Sequence, residues 1–387
     1  MRTTETRLEN SNASASTLHM ALELDGQSWK LAFGVGLGHR PRERPVSAGD
    51  VEAVLREIER AKARFKLRAD ARVVSCYEAG RDGFWLHRFL AANGVQNVVV
   101  DAASIEVPRR WRRAKTDRLD VRKLLERLIK YTAGSKEWKV VRVPSVAAED
   151  ARQVQRELAA VKVERAAVSN RIKSLLATQG LKARVQALPS EVSRLRTWDG
   201  CALPAQLQGR LLREWEHWNF LNERIREVQK QRRAQVRQAD PSDRAAQQIT
   251  QLTQVRSVGV EIATTLVREV FGWRELRNRR EVAGVAGLTP TPYRSGSGGR
   301  EQGISKAGNP RVRHAMIELA WFWLRYQPQS ELAHWYEERF GGGGARQRKI
   351  GIVALARKLL ILLWRYLQTG ALPESVLLKR EVVVQAA

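Results

Sequence analysis

Apolar and polar positions alternate from the seventeenth residue onward. Before that point "MRTTETRLENSNASAS" carries no apolar run, and it reads as a disordered leader over 1–16. "LHMALELDGQSWKLAFGVG" alternates and breaks at Asp25-Gly26, which predicts two strands joined as a hairpin. "AGDVEAVLREIERAKARFKLR" changes to helical spacing, with Val51, Val54, Leu55 and Ile58 on one face. A strand in "ARVVSCYEAG", a helix over "GFWLHRFLAANG" and a strand in "VQNVVVDAAS" follow. Strands alternating with helices predict an α/β domain over 17–146 built on a mixed sheet. Its last part holds the basic stretch "PRRWRRAK" and a helix starting near "TDRLDVRKLLERLIKYTAG".

From 147 to 243 the period changes again. Val154, Leu158, Val161, Val168, Ile172 and Leu175 fall at steps of four and three, with Arg165 in the remaining slot. That stripe predicts a coiled coil, which returns through Leu211, Trp218, Leu221, Ile225 and Val228. "LPSEVSRLRTWDGCALP" between the arms reads as the hairpin tip. Such a hairpin serves as a spacer or a dimerisation device, and its arginines and lysines also suit a nucleic-acid backbone. The region 244–387 is predicted mainly α-helical. It opens on "LTQVRSVGVEIATTLVREV", similar to a helix-hairpin-helix whose turn amides grip a phosphate, although Arg256 and Ser257 stand where Pro and Gly usually do. A glycine-rich loop and two apolar helices follow.

Composition narrows the partner. The net charge is +27 over 387 residues, a field that attracts polyanions, of which nucleic acid is the commonest. No apolar run of about 18 residues is present, which argues against a membrane span. With two cysteines, Cys76 and Cys201, and scattered histidines, any metal would be held by oxygen, which suits Mg²⁺ or Mn²⁺. Of the 12 tryptophans, Trp215, Trp218, Trp321 and Trp323 are expected in core or interface packing. Trp111 differs. Flanked by Arg109, Arg110, Arg112, Arg113 and Lys115, it suits stacking on a base while its neighbours hold phosphates.

Carboxylates in strands of so basic a chain need a reason. Glu23 and Asp25 lie two apart at the end of the first strand, which places both on one face. Glu78 ends a later strand, and Asp117 and Asp120 sit three apart at a helix start. Taken singly, Asp25 reads as a turn residue, Asp117 as a helix cap and Asp120 as an ion-pair partner. As a set in strand–strand–helix order they suit a pair of divalent ions. The loop "GLTPTPYRSGSGGREQGISKAGNPRVRHAM" leaves two readings open, a cradle for phosphate or a nucleophile as well. Gly296, Gly298 and Gly299 permit close backbone approach, while Arg294, Arg300, Lys306, Arg311 and Arg313 can neutralise phosphate.

These stretches together resemble the DEDD-type insertion-sequence transposases, the bridge-RNA-guided DNA recombinases. The most specific match is Gly-Leu-x-Pro, then Ser-Gly, then Ile-Ser-Lys-x-Gly-Asn and Arg, within Gly287–Arg311. The resemblance implies an N-terminal domain of the RNase H/Holliday-junction-resolvase fold whose acidic residues bind metal. Glu78, Asp117 and Asp120 match the second to fourth acidic positions. Counting back from Trp29 puts the first on Glu23, where the family has aspartate, with Asp25 the competing candidate. Ser295 matches the serine that becomes joined to DNA, and an acidic site of one protomer is expected to meet the serine of another. It further implies DNA and a non-coding guide RNA as partners, a dimer or tetramer, and a bacterial cytoplasmic, nucleoid-associated setting. A metal-dependent, structure-selective nuclease without covalent serine chemistry is the alternative. A non-catalytic nucleic-acid scaffold is a third reading.

Overall fold

The alternation from Thr17 onward folds as a hairpin of two inner strands of a sheet. The computed structural model describes residues 17–80, 83–101, 117–135, 138–295 and 298–379, apart from the side chains of 117–120 and 292–302. The leader, the basic run Arg109, Arg110, Trp111, Arg112, Arg113 and Lys115, and Gly296 lie outside the described residues. The chain divides into two compact units, Met1–Val143 and Pro144–Ala387.

In the first unit, strands β1 (Thr17–Glu23), β2 (Ser28–Gly34) and β3 (Arg42–Ser47) precede helix α1 (Val51–Arg64). Strand β4 (Arg72–Glu78), helix α2 (Trp85–Ala92), strand β5 (Gln96–Val100) and helix α3 (Asp117–Thr132) follow. The sheet order is β3-β2-β1-β4-β5. β1–β2 and β2–β3 are antiparallel, whereas β1–β4 and β4–β5 are parallel. This is the expected mixed sheet.

Alternation in the strands divides two cores. Leu18, Met20 and Leu22 of β1, with Trp29, Leu31 and Phe33 of β2 and Tyr77 of β4, pack against Val54 and Ile58 of α1 and Leu86 and Leu90 of α2. The other face presents Ala21, Ala32, Val74, Cys76 and Val100 to Val121, Leu124, Leu125 and Leu128 of α3. Small residues there let the helix approach closely. A Cβ on Gly34 would lie 3.3 Å from Leu125 Cδ2.

The second unit starts with the short helix α4 (Val146–Asp150) and the long α5 (Gln153–Ala177). The short α6 (Leu188–Glu191) and the long α7 (Ala205–Arg237) come next. Ion pairs Arg224–Glu157 and Arg171–Glu214 show that α5 and α7 run antiparallel, since one sequence number rises as its partner falls. Leu158, Val168 and Ile172 bury against Leu211, Leu221, Ile225 and Val228, much as the apolar stripe predicts. Leu176, rather than Leu175, closes the seam at the tip.

Beyond α7 lie α8 (Arg244–Gln254), α9 (Val260–Leu266) with a following π-turn (Val267–Phe271), and α10 (Arg279–Val285). Strands β6 (Pro290–Ser295) and β7 (Gly298–Ile304) lead to α11 (Pro310–Tyr326), α12 (Glu331–Tyr336) and α13 (Ala345–Thr369). Their core runs from Ile249 and Leu266 through Val312, Met316 and Trp323 to Leu355 and Leu359. Trp323 is fully buried, but Trp321, expected in packing, is 51% exposed because its position on α11 faces away from that core. No helix among the described residues is long and apolar enough to cross a membrane.

Candidate active site

Register places the acidic positions of the first unit. The last pair of the β1–β4 ladder is Leu22 with Tyr77, so the next residues, Glu23 and Glu78, end neighbouring parallel strands side by side. Both continue the parity of Ala21 and Cys76, which puts them on the α3 face of the sheet. Adjacent strands lie about 4.8 Å apart, a spacing at which two glutamates can share one cation.

Helix α3 is anchored against that face by two contacts. His19 Nε2 meets Thr132 Oγ1 at 2.9 Å, and Cys76 Sγ lies 3.9 Å from Leu124 O. Moving from His19 toward the end of β1 therefore corresponds to moving from Thr132 toward the start of α3. Asp117 and Asp120 occupy that first turn, on the helical stripe continued by Val121, Leu124 and Leu128. The backbone thus carries four acidic positions to one end and one face of the sheet. Their donor chemistry is all carboxylate and fits a hard divalent cation. Among the described residues no three His, Cys, Asp or Glu side chains form a metal-sized cluster, and the side chains of Asp117 and Asp120 lie outside that description.

Asp25 requires a correction. β1 stops at Glu23, so strand alternation does not carry on to Asp25. Instead Asp25 is exposed in the connection, where its Oδ2 accepts from Gln27 N–H at 3.4 Å. It stands off the strand, at the start of the bend into β2. The sequence also gave no hint that Lys30 stands directly opposite Glu23 on β2, setting an ammonium on the neighbouring strand.

In the second unit the expected glycine-rich loop is a two-stranded hairpin. Ser295 ends β6 at its tip, paired in register with Gly298; its side chain lies outside the described residues, as do those of Arg294 and Arg300. Five residue steps from Pro290 put Ser295 about 17 Å from the base of the hairpin.

The base accounts for the motif glycines. A Cβ on Gly308 would lie 2.5 Å from Gly287 N, 2.7 Å from Val285 O and 2.8 Å from Gly284 O, so two backbones meet where only glycine fits. Ser305 N–H donates to Thr289 O at 2.8 Å and Lys306 N–H to Gly287 O at 3.1 Å. Gly287 and Lys306 both hold positive φ, +63° and 56°. Asn309 then caps α11, its Oδ1 accepting from Arg311 N–H at 2.9 Å and Val312 N–H at 3.3 Å.

The other end of the same amide donates to Glu269 Oε2 at 2.8 Å. Glu269, 2% exposed, is held bidentately by Arg156 at 2.9 and 3.1 Å. Burial pushes its carboxyl up, but the Arg156 guanidinium, the Asn309 amide and the charge of Arg311 outweigh burial and leave it below its ordinary value. Glu269 was not singled out from sequence, and Asn309 stood there only as the last residue of the Ile-Ser-Lys-x-Gly-Asn motif, with no role assigned. The cue was present in Asn309 standing immediately before Pro310, the arrangement of an N-cap.

Among the basic residues expected to meet phosphate, Lys306 and Arg311 are exposed. Arg313 also binds within its own chain. Its Nη1 donates to Ala286 O at 3.0 Å and Lys306 O at 3.1 Å, clamping the hairpin base. The helix-hairpin-helix turn is also engaged by its own chain: Arg256 N–H donates to Leu377 O at 3.1 Å. Lys379 Nζ reaches Thr253 O at 2.6 Å and Val258 O at 2.9 Å. That amide is therefore not offered to a phosphate here.

Known proteins share this arrangement of sequence. The IS116/IS110/IS902 transposase family description matches residues 249–334, which hold the hairpin and its base. A Sinorhizobium fredii protein named as a candidate transposase, y4rJ, is 37% identical over 376 residues, covering 94% of each chain. A second from that organism, the candidate transposase y4qE, is 29% identical over 73% of this chain and 66% of its own. The transposase for insertion sequence element IS1328 of Yersinia enterocolitica is 27% identical over 42% of this chain and 46% of its own. The class is that of transposases, enzymes that act on DNA. The chain belongs to an insertion-sequence transposase family and carries an IS116/IS110/IS902-type transposase domain over 249–334.

Proposed function

We propose that this transposase cuts and rejoins DNA strands through a divalent-metal carboxylate site and a serine nucleophile, working as a homo-oligomer with a guide RNA. The observation that carries the reading is the convergence of Glu23 and Glu78 on one sheet face with the start of α3 at Asp117 and Asp120. The strand order β3-β2-β1-β4-β5, three antiparallel strands continued by two parallel ones, supports an RNase H-like assignment. Mg²⁺ or Mn²⁺, held by Glu23, Glu78, Asp117 and Asp120, would supply positive charge for the phosphate and its leaving oxygen.

Ser295 then supplies the attacking oxygen. Its hydroxyl proton passes to solvent water as Oγ bonds to phosphorus, and a deoxyribose oxygen leaves with the electrons of the broken P–O bond and takes a proton from water to become a free hydroxyl. The phosphoserine ester conserves the bond for reversal by the hydroxyl of another strand. Placement at the tip of a short hairpin anchored by Gly308 and Asn309 suits a nucleophile that must be delivered to a phosphate. Arg294 and Arg300 flank that tip in sequence and bring positive charge to it.

The test is a strand-transfer assay on labelled DNA with Ser295→Ala and Asp120→Asn. Both variants should abolish recombination, and the wild type should leave a protein–DNA adduct that Ser295→Ala lacks. Cleavage that persists in Ser295→Ala but vanishes in Asp120→Asn would favour the hydrolytic nuclease instead. Activity that survives both changes would overturn both readings. Guide-RNA dependence is read in the same assay by adding RNA transcribed from the sequence flanking the gene.

A further inference from the structure

We propose that the C-terminal half of α7 carries a phosphate-backbone track formed by Arg226, Lys230, Arg233 and Arg237. It rests on nucleic acid being this protein's substrate, and not on the metal or serine chemistry. The four residues recur at steps of four, three and four, which on a helix confines them to an arc of about 60° and a length of about 16 Å. All four are exposed. Leu221, Ile225, Val228 and Arg232 bury the opposite side of the helix against its neighbours, so the stripe cannot serve the core.

The cations of this helix divide by what they already hold. Arg224 is paired with Glu157 at 2.6 Å and with Glu227 at 3.4 Å. Arg232 is buried, donating to Gln155 Oε1 at 3.1 Å beside Glu261. On the stripe, Arg226 pairs with Glu223 at 2.8 Å, whereas Lys230, Arg233 and Arg237 make no ion pair among the described residues. Between them runs a shallow groove of about 460 Å³, lined also by Gln229 and Gln238, whose amides can donate hydrogen bonds.

Cations repeating along a line, three of the four without an ion pair among the described residues, fit a ligand whose negative charge repeats along a line. At about 3.4 Å of axis per phosphate, a 16 Å track faces roughly five phosphates of one strand. An acidic protein would need carboxylates at the same spacing, whereas every nucleic-acid strand has it by construction. Only the phosphodiester is specified, so DNA and RNA are distinguished by experiment.

The triple variant Lys230→Gln/Arg233→Gln/Arg237→Gln is compared with wild type by fluorescence anisotropy. The probes are a labelled single-stranded DNA, the RNA of the same sequence and a duplex DNA, each titrated at several salt concentrations. The slope of log K against log salt should fall by about 2 to 3, near 0.7 per lost contact on single strands and 0.9 on duplex. A control triple in the first unit, Arg56→Gln/Lys66→Gln/Arg68→Gln, removes equal charge and should leave the slope nearly intact. The charge-keeping Arg233→Lys/Arg237→Lys protein should bind like wild type. A fall confined to the RNA probe or to a DNA probe supports the track and names its ligand. An unchanged slope for all probes, or an equal fall in the control, overturns it. Because no cleavage is read, a failed serine mechanism would leave these results unaffected.

Discussion

Asn309 joins the hairpin base to a buried charge, and two substitutions separate its roles. Asn309→Ser keeps an oxygen able to cap α11 but removes the amide that donates to Glu269 at 2.8 Å. Loss of one hydrogen bond to a charged group should cost about 1.5–3 kcal/mol. Asn309→Asp also keeps the cap, yet replaces the donor with a second carboxylate. Two unit charges relaxed to about 4 Å at an effective dielectric near 20 repel by about 4 kcal/mol, so the isosteric change should cost more than the truncating one.

The pH dependence has a definite sign. In the wild type Glu269 is held below its ordinary value, so its contribution is present at neutral pH and lost as pH falls through the lowered pKa. In Asn309→Asp repulsion raises the paired carboxyls, and protonating one of them relieves it. The deficit relative to wild type should therefore be largest near pH 8 and narrow toward pH 5. Urea titrations at both pH values, followed by hydrogen exchange of α11 amides, measure it locally without assuming that two units unfold together. Wild-type stability of Asn309→Asp at pH 8, or the same deficit at both pH values, would refute the reasoning.

Three further outcomes follow from named contacts. Gly308→Ala should cost about 1–3 kcal/mol by overpacking and speed exchange at the Ser305 and Lys306 amides, because its methyl would stand 2.5 Å from Gly287 N; unchanged exchange at both would sink the tight-base account. Burial lowers His19 from 6.5 to about 4, so the folded state resists protonation, and stability present above pH 6.5 is lost as pH falls. Between pH 7 and pH 5 the loss should be about 2 kcal/mol in calorimetry, and His19→Gln should flatten that slope. Lys379→Met removes the donor shared by the Thr253 and Val258 carbonyls, which should cost about 0.5–1.5 kcal/mol and expose the Arg256 amide to exchange; full protection there would contradict the strap.

Local periodicity carried most of the fold. β4 reads as a near-continuous apolar run, "RVVSCYE", because it is covered on both faces, and the stripe from Val154 to Ile172 foretold the face that α5 buries. Parity also placed Glu23 on the α3 face, since it belongs to the strand. The same rule failed for Asp25 two residues later because the strand had ended, and no residue type announces where a ladder stops. Arg313 has a role inside the chain that was not legible for a different reason. A guanidinium that donates to Ala286 O and Lys306 O looks, in sequence, the same as one awaiting phosphate.

The glycines of the second unit show why motif chemistry and motif mechanics are easily confused. Glycines among arginines suggest a backbone wrapped on an anion, and that description suits the hairpin tip. Gly287 and Gly308, however, meet backbone from their own chain, so their small size is used to close the base. A nucleophile on a free loop would sample many positions, and each residue left unfixed reduces the fraction correctly aimed. Closing the base with Gly308, Arg313 and the Asn309–Glu269–Arg156 chain limits that freedom about 17 Å from Ser295. With Ser295 as the proposed nucleophile, Gly308→Ala should reduce strand transfer more than it reduces DNA binding, because binding charge is untouched while delivery is loosened. Equal losses in the two assays would mean that the base serves stability alone.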